Sequence, residues 1–160
     1  MKLQKLVEEE SQFFKTREEV EAWLKKMNIE SYTINEDLTV DVNGDVDIMY
    51  KNISVLPIKF KNVAGHFSCS GNNLTSLEGC PREVGGDFYC SFNNLTSLKG
   101  APREVDGGFY CSGNNLTSLE DGPKEVGGSF YCADNNLTSL EGAPREVSVG
   151  FIALLINSHL

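Results

Sequence analysis

Four thiols recur at one interval, Cys69, Cys90, Cys111 and Cys132, each 21 residues after the last. Regularly spaced cysteines raise metal ligation and disulfide formation as candidate chemistries. A zinc site needs four thiolates within about 2.3 Å of one ion. If each cysteine sits at the same place on successive parallel strands, about 4.8 Å apart, the four form a line about 15 Å long and cannot converge. The total of five cysteines is odd, and the charged residues 1–10 do not read as a secretion signal, so reduced thiols are expected. A free cysteine facing inward behaves as a small apolar residue. The two histidines, His66 and His159, have no cluster of acids, thiols or hydroxyls near them in sequence, and neither is assigned a catalytic or metal role. Asn-Leu-Thr at Asn73, Asn94, Asn115 and Asn136 has the form of a glycosylation acceptor, but its 21-residue recurrence gives it a structural origin.

The elements that must position these groups follow from the repeat. Leu74, Leu95, Leu116 and Leu137 share the step, as do Phe67, Phe88, Phe109, Phe130 and Phe151, and Pro81, Pro102, Pro123 and Pro144. One unit reads Gly-x-Phe-Tyr-Cys-Ser-x-Asn-Asn-Leu-Thr-Ser-Leu-Glu-Gly-x-Pro-Arg-Glu-Val-Gly. Phe88-Tyr89-Cys90 alternates as a strand with one buried face does. Where the chain turns out of that strand, Asn72, Asn93, Asn114 and Asn135 are placed to bond backbone groups otherwise left without partners, as a buried asparagine ladder. The Thr-Ser-Leu-Glu-Gly-x-Pro stretch is too short for a three-turn helix and is expected to be extended, polyproline-like or 3₁₀. The chain divides into a cap at 1–43, a diverged first repeat at 44–64, four repeats at 65–149 and a partial one at 150–160.

Gly85 to Leu95 resembles the leucine-rich repeat, whose Leu-x-x-Leu-x-Leu-x-x-Asn-x-Leu signature becomes Gly-x-x-Phe-x-Cys-x-x-Asn-x-Leu here. The Leu-Thr-Ser-Leu-x-x-x-Pro-x-x-Val that follows is similar to the short repeats of secreted bacterial effectors, with one extra residue before the strand. The resemblance implies a mainly β, right-handed solenoid of leucine-rich-repeat type with a parallel sheet and about six coils. Tandem units of this composition behind a short leader also resemble repeat proteins of phages and their bacterial hosts. That implies a host protein as partner, a defence factor among the options.

Thr16 followed by Glu19 is a capping box, and Val20, Trp23, Leu24 and Met27 keep helical spacing, so a helix is expected over 17–27. Tyr32-Thr33-Ile34 and Leu38 to Val42 flank Asn35-Glu36-Asp37 as a hairpin. Helix and hairpin cover the open end of the stack, with Phe13, Phe14 and Trp23 packing on the first coil. At the far end Phe151, Ile152, Leu154, Leu155 and Ile156 are either a closing strand or an edge that pairs with a second copy, giving a homodimer.

Fourteen Lys+Arg against 23 Asp+Glu leave a net charge of −9, which repels phosphate backbones and anionic membranes. No direct nucleic-acid or membrane partner, no cofactor and a soluble, cytoplasmic chain are expected. A solenoid puts like residues in rows rather than in convergent catalytic groups, so no enzyme is expected either. Arg82, Arg103, Lys124 and Arg145 beside Glu83, Glu104, Glu125 and Glu146 read as a solvated, mutually paired outer surface. The strand face opposite the cysteines carries Ser68, Tyr89, Tyr110 and Tyr131 in one row and Ser70, Ser91, Ser112 and Ala133 in another. Beside them lie His66, Asp87, Gly108 and Ser129 on one flank, and Gly71, Phe92, Gly113 and Asp134 on the other. Tyr89, Tyr110, Tyr131, Phe92, Asp87, His66 and Asp134 are therefore candidates for binding a protein partner, to inhibit or sequester it. Tyrosines that only stack to stabilise the ladder are the competing reading. Acidic mimicry of nucleic acid is a further one, on the strength of 11 acidic and 5 basic residues over 65–149.

Overall fold

The computed structural model describes residues 12–153. It is a mainly β solenoid of about five turns with stacked parallel sheets and one short helix at its N-terminal end. Helix α1 (Arg17–Lys26) starts at a complete capping box: Thr16 Oγ1 accepts the Glu19 N–H at 3.2 Å and Glu19 Oε2 accepts the Thr16 N–H at 3.1 Å. Val20 and Leu24, four residues apart on one face, are buried. The hairpin of β1 (Tyr32–Ile34) and β2 (Thr39–Val42) pairs antiparallel with Ile34 opposite Val40. The cap seats on the first coil: Phe14 N–H bonds Pro57 O at 2.8 Å, and the Trp23 ring meets Phe60 edge-on with centroids 6.5 Å apart.

Every coil then contributes two short strands. The first sheet takes β3 (Val46–Asp47), β5 (Phe67–Ser68), β7 (Phe88–Tyr89), β9 (Phe109–Tyr110), β11 (Phe130–Tyr131) and β13 (Phe151–Ile152), all parallel and in register at the 21-residue step. The second sheet was not legible as such. It continues β1 and β2 through β4 (Lys59–Val63), β6 (Glu83–Val84), β8 (Glu104–Val105), β10 (Glu125–Val126) and β12 (Glu146–Val147). The Pro-Arg-Glu-Val segments are thus its strands. Val84, Val105 and Val126 are buried while the glutamates face out in one in-register row. No ion pair among the described residues joins these glutamates to Arg82, Arg103, Lys124 or Arg145, so the expected mutual pairing does not form. Adjacent coils set Glu directly beside Glu, an arrangement that repels and fits a surface kept open to water.

Between the sheets runs one continuous core. Phe67, Phe88, Phe109 and Phe130 stack with centroids 5.2 to 5.5 Å apart, flanked by Cys69, Cys90, Cys111 and Cys132 and by Leu74, Leu95, Leu116 and Leu137, and Phe151 continues the ring stack at its exposed end. A turn closes each return limb, with Ala101 N–H bonded to Leu98 O at 2.9 Å; Gly100, at φ 88°, supplies the left-handed residue that such a turn requires. The asparagine ladder is present and satisfied. Asn114 Nδ2 donates to Cys90 O at 3.1 Å and Cys111 O at 3.0 Å, while its Oδ1 accepts the N–H groups of Asn93 at 3.2 Å and Leu95 at 3.1 Å. The ladder ties each strand exit to the coil before it, which makes the first sheet a fixed platform.

Candidate recognition face

All five cysteines are free and buried; Cys69, Cys90, Cys111 and Cys132 follow the in-register strands as their spacing predicts, and Cys80 lies apart in a return-limb turn. Burial pushes the Cys90 and Cys111 thiols well above the usual range, and pushes Cys132 up to about 11. Neutral thiols behind a sheet are poor nucleophiles and poor metal ligands. Among the described residues no group of three or more His, Cys, Asp or Glu could hold a metal ion, and no helix is long and apolar enough to cross a membrane.

On the opposite face Tyr89, Tyr110 and Tyr131 stack in register, with centroids 4.8 and 5.3 Å apart and rings nearly parallel. They do not stand upright. Tyr89 leans back along its own strand and its hydroxyl donates to Asp87 Oδ2 at 2.8 Å. Tyr110 does the same over Gly108, where an added Cβ would stand 2.7 Å from the ring and the hydroxyl. At these two coils the flanking residue is matched to the tyrosine two residues on: Asp87 accepts the Tyr89 hydroxyl, and Gly108 leaves room for the Tyr110 ring. Desolvation, then the Asp87 carboxylate, push the Tyr89 hydroxyl up to about 12. Tyr110 is raised for the same two reasons.

His66 and Asp87 also belong to the scaffold. Asp45 Oδ1 accepts the His66 N–H at 2.8 Å, His66 Nδ1 accepts the Asp87 N–H at 2.9 Å, and Asp87 Oδ1 accepts the Gly108 N–H at 2.6 Å. Each side chain thus satisfies the backbone of the next coil. Asp45, one step before His66, heads this row although it was not among the residues singled out by sequence. Ser68 and Ser70, expected to face outward, are only 7% and 5% exposed; Ser68 is a small side chain in register between Asp47 and Tyr89, and it sits below them.

The other flank is a row of left-handed corners just after the strands. Tyr50, Gly71, Phe92, Gly113 and Asp134 have φ of 52°, 68°, 56°, 69° and 53°. Glycine is suited to this conformation and aspartate tolerates it, whereas a bulky aromatic is strained there. Tyr50 and Phe92 are nevertheless the residues present, 71% and 62% exposed. Their rings lie over the glycine of the next coil: a Cβ on Gly71 would fall 2.2 Å from Tyr50 Cε1, and one on Gly113 would fall 2.5 Å from Phe92 Cδ1. Phe92 and Asp134 were expected on this flank. Tyr50 was missed, although the same 21-residue arithmetic leads to it from Phe92.

At the C-terminal end β13 and β12 are the outermost strands of the two sheets, and Leu140, Val149, Phe151 and Ile152 are exposed there. Leu154, Leu155 and Ile156, assigned with Phe151 and Ile152 to self-association, lie outside the described residues, as does His159. The structure therefore brings Tyr89, Tyr110, Tyr131, His66 and Asp87 into one surface with Phe92 and Asp134 along its border. No family model matches this sequence, and neither a curated protein nor a solved structure matches it.

Proposed function

We propose that this protein is a non-catalytic protein-recognition module of leucine-rich-repeat type, acting by sequestering or inhibiting a protein partner. The tyrosine strip carries the reading. Three half-buried rings stacked at 4.8 and 5.3 Å make a flat, rigid patch of aromatic area whose side-chain entropy is already spent in the free protein. Preorganised tyrosine of this kind is what interface anchors are made of. The six strands extend the face over about 24 Å, the scale of one side of a standard interface of about 800 Å² per partner.

Affinity capture from the source organism tests this, using wild type and a Tyr89→Ala, Tyr110→Ala, Tyr131→Ala triple variant, followed by reconstitution of the captured protein with purified components. A specific partner lost from the folded triple variant is expected. A partner retained equally by both removes the strip as the binding surface.

A second reading, assembly through the C-terminal end, is favoured by the exposed Val149, Phe151 and Ile152 beside the outermost strands. Light scattering over a wide concentration range decides it. A dimer that Ile152→Glu dissociates is the expected signature, and a wild-type monomer throughout overturns it.

A further inference from the structure

Charge is divided between the two sheets. Lys61, Arg82, Arg103, Lys124 and Arg145 are exposed and lie in, or immediately before, strands of the second sheet. The first sheet with its corners, residues 45–50, 66–71, 87–92, 108–113 and 129–134, carries Asp45, Asp47, Asp87 and Asp134 and neither lysine nor arginine; Lys51 lies just beyond the first corner. The core stands between the two sets of charges. Among the described residues no Lys or Arg forms an ion pair with any of these four carboxylates.

Three of the carboxylates keep acceptor capacity. Asp45 Oδ1 accepts the His66 N–H at 2.8 Å and Asp47 Oδ1 accepts the Met49 N–H at 3.1 Å, which orients each side chain and leaves its Oδ2 without a hydrogen bond. Asp134 makes no side-chain hydrogen bond among the described residues, and all three are exposed. Asp87 is fully engaged, with Oδ1 on the Gly108 N–H and Oδ2 on the Tyr89 hydroxyl. Ser68, outward between the inward Phe67 and Cys69 and in register between Asp47 and Tyr89, holds the one buried side-chain polar atom among the described residues that lacks a hydrogen-bond partner. The face thus offers oriented acceptors beside aromatic area and is short of donors.

We propose that this face docks a basic protein surface anchored by arginine. The inference rests on the recognition reading above and names the chemistry of the partner. A guanidinium has five N–H donors and no acceptor, packs on tyrosine rings, and bonds a carboxylate through two parallel N–H groups. Lysine supplies a strongly hydrated point charge and none of that planar contact. An acidic or apolar partner would bury Asp45, Asp47 and Asp134 unpaired, which opposes docking, whereas a basic one neutralises them and is steered toward the face from a distance. A metal ion is a poor occupant, since no group of three or more His, Cys, Asp or Glu among the described residues could hold one.

Fluorescence anisotropy at low ionic strength is the test, with labelled Gly-Arg-Gly-Arg-Gly-Arg-Gly as probe and its lysine and citrulline counterparts as controls. Wild type is compared with two variants that each remove three negative charges. One carries Asp45→Asn, Asp47→Asn and Asp134→Asn, where asparagine keeps an acceptor for the backbone bonds; the other carries Glu104→Gln, Glu125→Gln and Glu146→Gln on the opposite sheet. Circular dichroism checks each fold. Saturable binding of the arginine peptide is expected, weakened about fivefold or more by the first variant and less than about twofold by the second. The Tyr89→Ala, Tyr110→Ala, Tyr131→Ala variant should weaken the arginine peptide more than the lysine peptide. No saturable binding to wild type, equal losses in the two charge variants, or lysine and citrulline peptides that bind as tightly as the arginine one overturn the proposal. If a captured protein depends on Tyr89, Tyr110 and Tyr131 but is held equally by the first charge variant, recognition stands and the basic-partner assignment falls.

Discussion

Replacing Asn114 by Leu isolates the asparagine ladder, because leucine has similar volume and leaves the core without a cavity or a polar atom. Asn114 is only 6% exposed and serves four backbone groups. Those groups are not equally dependent on it. Cys90 O keeps the Asn93 Nδ2 donor at 3.1 Å, and Cys111 O keeps the Asn135 Nδ2 donor at 3.0 Å. The N–H groups of Asn93 and Leu95 have only Asn114 Oδ1 as acceptor and become buried donors without a partner. At about 1–3 kcal/mol each, the loss is about 2–6 kcal/mol, a large share of a typical domain stability of about 5–15 kcal/mol. Urea unfolding measures it with two probes, the single Trp23 in the cap and far-ultraviolet circular dichroism, since a solenoid can open at one end before the other. Asn114→Asp sharpens the test. It keeps an acceptor for both N–H groups but sets a carboxylate oxygen against two carbonyls, so its folded pKa is raised above the unfolded value near 3.9. Its penalty should therefore be smallest below about pH 4 and grow as pH rises from there. A cost under about 1 kcal/mol for Asn114→Leu with an unchanged m value would refute the claim that the ladder satisfies the strand exits.

Thiol labelling of the native protein should be slow at all five buried cysteines, with Cys132, less shifted than Cys90 and Cys111, reacting before those two. Rapid native labelling of Cys90 or Cys111 would show that the row does not face the core. Ultraviolet titration should resolve Tyr89 ionising near pH 12, with Asp87→Asn lowering it part of the way, because desolvation is the larger cause and the carboxylate the smaller. Since the folded value lies above the unfolded value of about 10, this group's contribution to stability is complete below about pH 10 and is lost as pH rises toward about 12. Tyr89→Phe should make urea stability less sensitive to pH across that window, and an unchanged pH dependence would count against the bond from the Tyr89 hydroxyl to Asp87.

The period of 21 residues, the inward Phe88 and Cys90 with the outward Tyr89, the asparagine ladder, the capping box at Thr16 and the hairpin about Asn35 were all legible in the sequence. Each is a local pattern, fixed by the alternation of a strand or the reach of one side chain, and repetition multiplies it without change. The second sheet was not. A strand of two residues, Glu104–Val105, has no periodicity to read, and its pairing exists only once coils stack and set Val105 beside Val84 and Val126. Nor does alternation choose a rotamer: it places Tyr89 outward, but only the neighbouring coil and Asp87 decide that the ring lies flat with its hydroxyl engaged. The left-handed corner is likewise invisible at Phe92 taken alone. Gly71 and Gly113 hint at it in sequence; the fold makes it a fact, by turning the chain there and laying the aromatic rings across the coil that follows.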